Sequence, residues 1–305
     1  MNERMFPLRS TVVAPSSILA ACVAALLAAC ATDSPLKSGT GGSGAAGTGT
    51  GGAGGSAVVS CGSDNPDDLI ADFTLDNGDH PADGRSGGWY VYGDDNGTFD
   101  PPKSTDPTVP YPIDKTGGNP TCSGGGAFHV KATGFSGFGA AAATDFVAQV
   151  KPMVKGTYDA TKYKGVSFWA KAAAPVKFVQ VKFPDVFSDA QADPTVLDPT
   201  YFSCTNSLCG FNNGCSPYIV KLSSSSDDLN YPAYMTTQID TSWKRFDILF
   251  ADAKQDKYCT GYNPVMMLDL KHLVGFAIQV NADFTVMPTA PNNFEMWIDD
   301  VRFIR

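Results

Sequence analysis

In Val166-Ser167-Phe168-Trp169-Ala170-Lys171, Val166, Phe168 and Ala170 share one side of an extended chain, and Ser167, Trp169 and Lys171 share the other. A helix would scatter these residues around its axis. The same period of two recurs in Ala127-Phe128-His129-Val130-Lys131-Ala132, Val179-Gln180-Val181-Lys182-Phe183, Phe246-Asp247-Ile248, Phe276-Ala277-Ile278-Gln279-Val280 and Phe294-Glu295-Met296-Trp297-Ile298. Leu69 to Leu75 and Trp89 to Tyr92 are earlier candidates. About ten short strands, each with one wet face, imply two stacked antiparallel sheets. The expected fold is all-β: a two-sheet antiparallel jelly-roll sandwich, with an immunoglobulin-like sandwich as the alternative. Long loops are expected near 93–120 and 184–217.

Composition agrees. Charged residues make up 17% of the 305-residue chain, below the usual quarter, while glycine (31) and proline (21) are plentiful. That is the profile of strands joined by turns. Residues 1–60 carry Arg4, Arg9 and Lys37 against Glu3 and Asp33. The formal charge of −9 therefore leaves −10 on 61–305. Such a domain repels phosphate backbones, so nucleic acid is not expected as a partner.

The first sixty residues read as an export and anchoring device. Arg4 and Arg9 form a basic start, an apolar run follows, and Leu27-Ala28-Ala29-Cys30 resembles the lipobox of bacterial lipoproteins. Residues 1–29 are thus expected to be a signal peptide, with Cys30 lipidated. A transmembrane helix is the rival reading, but the apolar run is barely long enough. Leu19-Ala20-Ala21-Cys22 is a second match. Cutting there would leave Val23 to Ala29, an apolar run, on the mature chain. Ala31 after the cysteine resembles lipoproteins sent to the outer membrane, so the cell envelope is the expected location. Residues 30–60 form a tether of Gly, Ala, Ser and Thr that cannot bury enough apolar surface to order itself. Gly49-Thr50-Gly51-Gly52-Ala53-Gly54 matches a dinucleotide fingerprint, but no strand pattern precedes it and no helix pattern follows. Residues 61–305 are the expected β-sandwich domain.

Six further cysteines, Cys61, Cys122, Cys204, Cys209, Cys215 and Cys259, read as three disulfides in an exported chain, with the pairing left open. Zinc is the rival, but the spacings around Cys204, Cys209 and Cys215 are not C-x₂-C and the three histidines are remote.

Four segments, in order, resemble a known family: Ile70-Ala71-Asp72-Phe73 with Gly88-Trp89-Tyr90-Val91-Tyr92; Gly134-Phe135-Ser136-Gly137-Phe138-Gly139-Ala140; Tyr158-Asp159-Ala160 through Tyr163-Lys164-Gly165-Val166-Ser167-Phe168-Trp169-Ala170-Lys171; and Phe294-Glu295-Met296-Trp297-Ile298-Asp299-Asp300-Val301-Arg302-Phe303. They look like the galactose-binding-like jelly rolls of carbohydrate-binding modules, nearest to family 11. The resemblance implies polysaccharide binding on a concave sheet face, often with structural calcium. The sequence departs from that pattern at Phe138, where many relatives have Trp, and in its cysteine-rich insert.

The expected function is a non-catalytic cell-surface lipoprotein that binds polysaccharide. An envelope adhesin or scaffold is the alternative, and a glycoside hydrolase is the one enzyme class kept open. No G-x-S-x-G, H-E-x-x-H or phosphate loop is present. The acidic pairs Asp94-Asp95, Asp227-Asp228 and Asp299-Asp300 read as turn residues or calcium ligands, because adjacent carboxylates on a strand point to opposite faces. Trp169 with Lys171, Gln180 with Lys182, Gln279, Trp89 and Tyr92 are the candidate sugar contacts: rings for the sugar's C–H face, Lys and Gln for hydroxyls. Asp72, Asp299 and Asp300 are the candidate calcium ligands, because first and last strands lie close in such folds and calcium takes six to eight oxygens.

Overall fold

The structure, a computed structural model, describes residues 61, 65–75, 82–104, 109–122, 125–196, 217–222, 234–235, 237–255, 267–282 and 290–305. The signal, Cys30, the tether, and Cys204, Cys209, Cys215, Cys259 and Asp227-Asp228 lie outside these residues. The described residues form strands and short 3₁₀ turns, and among them no helix is long and apolar enough to cross a membrane.

A six-stranded sheet is ordered β12 (Lys244–Leu249), β8 (Gly165–Ala172), β15 (Phe294–Ile304), β4 (Phe128–Thr133), β3 (Thr98–Asp100), with β1 (Leu69–Ala71) also paired to β15. A seven-stranded sheet is ordered β11 (Tyr234–Met235), β10 (Tyr218–Leu222), β9 (Val179–Phe183), β14 (Gly275–Val280), β5 (Ala140–Asp145), β2 (Trp89–Gly93), with β13 (Lys254–Gln255) also paired to β10. β6 (Gln149–Lys151) and β7 (Val154–Lys155) make a small hairpin. Pairing is antiparallel except between β10 and β11, which run parallel.

The period of two decides which side chains meet. Val166, Phe168 and Ala170 of β8 are fully buried, as are Val181 and Phe183 of β9 and Ile278 of β14. The two inner faces interlock through rings. Phe168 of the first sheet meets Phe276 of the second at 5.6 Å, and Phe128 meets Trp89 at 5.1 Å. The all-β, two-sheet jelly-roll sandwich expected from the sequence is the architecture observed.

Three readings change in detail. The first strand stops at Ala71 rather than running to Leu75, because Phe73 turns into the left-handed region at φ +55° to reach the core. The segment 93–120 is not all loop, since Thr98–Asp100 pairs with β4. Ala140–Asp145 forms a strand that alternation alone did not reveal, because four consecutive alanines carry no polar partner to alternate with. One bridge is seen among the described residues: Cys61 to Cys122, Cα atoms 5.3 Å apart.

Candidate functional site

The outer face of the seven-stranded sheet is assembled by register. One cross-strand row runs Lys221, Gln180, Gln279, Ala141, Tyr92, and the next runs Ile219, Lys182, Ala277, Ala143, Tyr90. Three alanines therefore floor the centre of this face. Tyr90 and Tyr92 stand on the β2 side, and Gln180 and Lys182 stand on the β9 side.

The aromatic side extends beyond the strands. The ring centroids of Tyr90 and Tyr92 are 6.3 Å apart, and those of Tyr92 and Phe138 are also 6.3 Å apart. Phe138 is 47% exposed, unusually open for a phenylalanine. Its position is built by its neighbours. Gly139 sits at φ +99°, where a Cβ would come within 2.1 Å of the Val280 carbonyl oxygen. The Asp94 carboxylate accepts from the backbone N–H of Gly137 (2.7 Å), Gly139 (3.0 Å) and Asn96 (3.0 Å). Burial alone would raise the Asp94 carboxyl, but these N–H groups outweigh it and hold it below the usual range. Asp94 is thus a turn residue that presents Phe138.

Gln279 is buried, and its amide is fully engaged. Its Oε1 accepts from Lys182 Nζ (2.5 Å) and Tyr92 OH (3.4 Å), and its Nε2 donates to the Phe138 carbonyl (3.0 Å) and Asn281 Oδ1 (2.6 Å). It therefore positions Lys182, Tyr92 and the Phe138 turn, and has no group left for a ligand. Gln180 is half-buried, and among the described residues its amide has no protein partner.

A cavity of about 400 Å³ opens over the second row, lined by Tyr90, Tyr92, Lys155, Lys182, Ser188 and Asp189 among others. Lys155 anchors its wall. Its Nζ lies 3.0 Å from Asp145 and 3.1 Å from Asp189 and donates to Tyr90 OH at 3.2 Å. Burial would depress this ammonium, but Tyr90, Asp145 and Asp189 outweigh burial and raise it. Burial pushes the Tyr92 hydroxyl up to about 12 and brings the Lys182 ammonium down to about 8.

The sequence candidates divide between three places. Gln180, Lys182, Gln279 and Tyr92 come together on this face. Trp89 does not: it is 2% exposed in the core, edge-on to Phe73 at 5.1 Å, because residues one apart on a strand face opposite ways. Trp169 and Lys171 lie on the other sheet. Trp169 is buried in register with Asp299. Lys171 is held between the rings of Trp243 (5.1 Å) and Trp297 (4.9 Å), and the other side of Trp297 is stacked on His129 at 4.5 Å. Both faces of Trp297 are therefore occupied. The residues missed were Tyr90, Phe138 and Lys155. Tyr90 was legible, since Trp89-Tyr90-Val91-Tyr92 places it beside Tyr92. Lys155 was not, because it arrives from a separate hairpin.

The acidic seam lies elsewhere. β1 and β15 pair, with Ala71 opposite Val301, so Asp72, just past β1, comes near Asp299 and Asp300. β15 shifts register between Asp299 and Arg302, and Asp300 adopts φ +48°. Asp299 accepts from the backbone N–H of Asn119 and Asp300, both at 2.7 Å, while Asp300 Oδ1 accepts from Arg302 at 2.8 Å. Among the described residues, Asp300 Oδ2 is buried with no hydrogen-bond partner. Burial raises both carboxyls, Asp299 to about 7. These carboxylates form an acidic seam, and the ligand atoms that converge there within 4.8 Å are those of Asp300, Cys61 and Cys122, the two cysteines being joined in a disulfide.

No family model matches the chain, and no curated protein matches it. Among solved structures, it is similar to the family 11 carbohydrate-binding module of a cellulosomal cellulase of Clostridium thermocellum, at 14% identity over 77% of this chain and 92% of that one, TM-score 0.39. A family 11 module from the same organism, in complex with a β-1,3-1,4-mixed-linked tetrasaccharide, matches at 14% identity over 71% and 88%, TM-score 0.37. A family 30 carbohydrate-binding module matches at 14% identity over 63% and 72%, TM-score 0.36. An exo-β-agarase also matches, at 9% identity over 77% of this chain and 24% of its own, TM-score 0.33. At these identities and TM-scores the matches bear on no single residue's role.

Proposed function

We propose that this chain is a non-catalytic glycan-binding lipoprotein and that the glycan lies on the outer face of the seven-stranded sheet. One observation carries the reading: the line Tyr90, Tyr92, Phe138 borders an alanine floor, with the Gln180 amide and the Lys182 ammonium across it. Ring faces stack on the C–H face of a sugar, amides and ammonium groups meet its hydroxyls, and small residues between them leave room for the ring. Retention of the full chain on affinity gels of glucan, mannan, galactan and peptidoglycan tests it. Retention on at least one, lost on Tyr92→Ala with Phe138→Ala, is the expected result. No retention on any of them would overturn the reading.

The anchor belongs to the same proposal. Lipid on Cys30 and a tether over 31–60, about 30 Å in mean span, would hold the domain off an outer membrane and let it search. Metabolic labelling with palmitate, expected to disappear in Cys30→Ser, checks this. Cys204, Cys209, Cys215 and Cys259 are proposed to form two further disulfides, so the oxidised chain should take up no thiol reagent at these four positions. Calcium is proposed at Asp72, Asp299 and Asp300, where it would serve stability by neutralising the gathered carboxylates.

A further inference from the structure

On the proposed ligand face, Lys182 and Lys155 are treated very differently by their surroundings. Lys155 is neutralised by two carboxylates, Asp145 and Asp189, at 3.0 and 3.1 Å. Lys182 lines the same cavity, and among the described residues no carboxylate lies within ion-pair distance of it. Its Nζ donates to one neutral acceptor, Gln279 Oε1, at 2.5 Å. An ammonium has three protons to donate, so two remain for another molecule. Ile219 and Ala277 flank it in its row, and Gln279 is itself buried. The acids around Lys155 are consumed locally and do not reach Lys182, whose ionisation is governed by burial alone.

A half-buried cation without a counter-charge is costly, and covering it with a neutral ligand raises that cost, whereas an anion removes it. We infer that the saccharide bound on this face carries an anionic substituent, a carboxylate or a sulfate, that pairs with Lys182 while Tyr90, Tyr92 and Phe138 stack on the sugar rings. The inference rests on the glycan-binding reading and narrows it to acidic glycans. From Lys182 to Tyr90 the row crosses three strand spacings, about 14 Å, which accommodates a short oligosaccharide between charge and rings. The net negative charge of the domain makes the inference more demanding, since long-range electrostatics disfavour a polyanion. Affinity for one therefore has to come from a local contact.

Calorimetric titration of the full chain tests this with three probes of equal ring count: an oligogalacturonate, a sulfated galactan oligosaccharide and a mixed-linkage glucan oligosaccharide. The expected result is at least tenfold tighter binding of one acidic probe than of the neutral one, weakening as salt is raised. The tighter acidic probe tells carboxylate from sulfate. Lys182→Met keeps the apolar stem and removes the charge. It should abolish the acidic preference, bringing the acidic and neutral probes within twofold of one another, and Lys182→Gln should do the same. Lys131→Met, an exposed lysine on the other sheet, should change nothing. Neutral binding equal to or tighter than acidic would overturn the inference and leave glycan binding standing. An acidic preference that survives both Lys182 variants would overturn the assignment to Lys182. Binding of none of the three, together with no retention on the gels, would overturn both readings.

Discussion

One residue on the ligand face works against the stability of the fold, and one beside it can be nothing but glycine. Lys182 titrates near 8 when folded, against 10.5 when unfolded. Between those values the unfolded chain holds a proton that the folded chain has released, so stability rises with pH across the window. Below about pH 8 the burial cost is fully present. Chemical denaturation at pH 7 and pH 10 should show that Lys182→Met gains stability over the parent at pH 7 and loses that advantage at pH 10. Equal differences at both values would mean the ammonium is better solvated than its surroundings suggest. Gly139 is the other case, a backbone position only glycine fills without a clash against Val280. Gly139→Ala should cost at least about 2 kcal/mol, by positive φ and steric overlap together, and should weaken glycan retention by displacing Phe138. Legibility at this scale follows a simple geometric fact. Tyr92 and Tyr90 share a face by parity, whereas Trp89 paired with Tyr92 mixes two faces. Phe138 stood out in the sequence only as a departure from the family pattern, and the folded turn, held by Asp94, shows why a ring there is open to a partner.

At the scale of elements, strands with a wet face could be read directly, because polar and apolar residues take turns in β4, β9 and β12. β5 could not be read so, since an alanine strand has no contrast, yet its small side chains are what leave the ligand face open. The last strand was legible as a strand but not as a bulged one. Asp300 occupies a left-handed backbone position that a non-glycine residue holds at a cost of about 1–3 kcal/mol, which makes a local role for its carboxylate worth testing. Thermal unfolding in chelator and then in millimolar calcium should show a higher midpoint with calcium, on the order of 2.7 kcal/mol at a hundredfold excess over its dissociation constant. Asp300→Ala should remove the difference. A midpoint indifferent to calcium, with no bound metal on elemental analysis, would reduce the seam to a hydrogen-bonded bulge.

For the whole molecule, the two-sheet architecture was readable because burial imposes a period that survives in strands such as β4, β9 and β12. The pairing of the cysteines was not, because closure between residues 61 apart is decided by how the sandwich folds back on itself. By the chain-entropy argument, a loop of that length should contribute about 4 kcal/mol. Cys61→Ala with Cys122→Ala is therefore expected to lower the unfolding free energy by about that amount in denaturant titration. A loss below about 1 kcal/mol would indicate that the reduced chain keeps its loop closed by other contacts.

The same bridge decides how the domain meets a mechanical load. A chain fixed on its N-terminal side and gripped at its ligand face is pulled through Cys61, and the first element in line is β1, three residues zipped to β15. Short edge strands peel one hydrogen bond at a time. Cys61 is instead welded to Cys122, beside the turn whose Asn119 N–H is bonded to Asp299 in the last strand of the sheet. Tension therefore bypasses β1 and enters the sandwich at the loop ahead of β4, an inner strand paired on both sides. In a force-spectroscopy pull from the N-terminal side, the oxidised domain should rupture at higher force than the reduced one, and residues 61 to 122 should add no length to its extension.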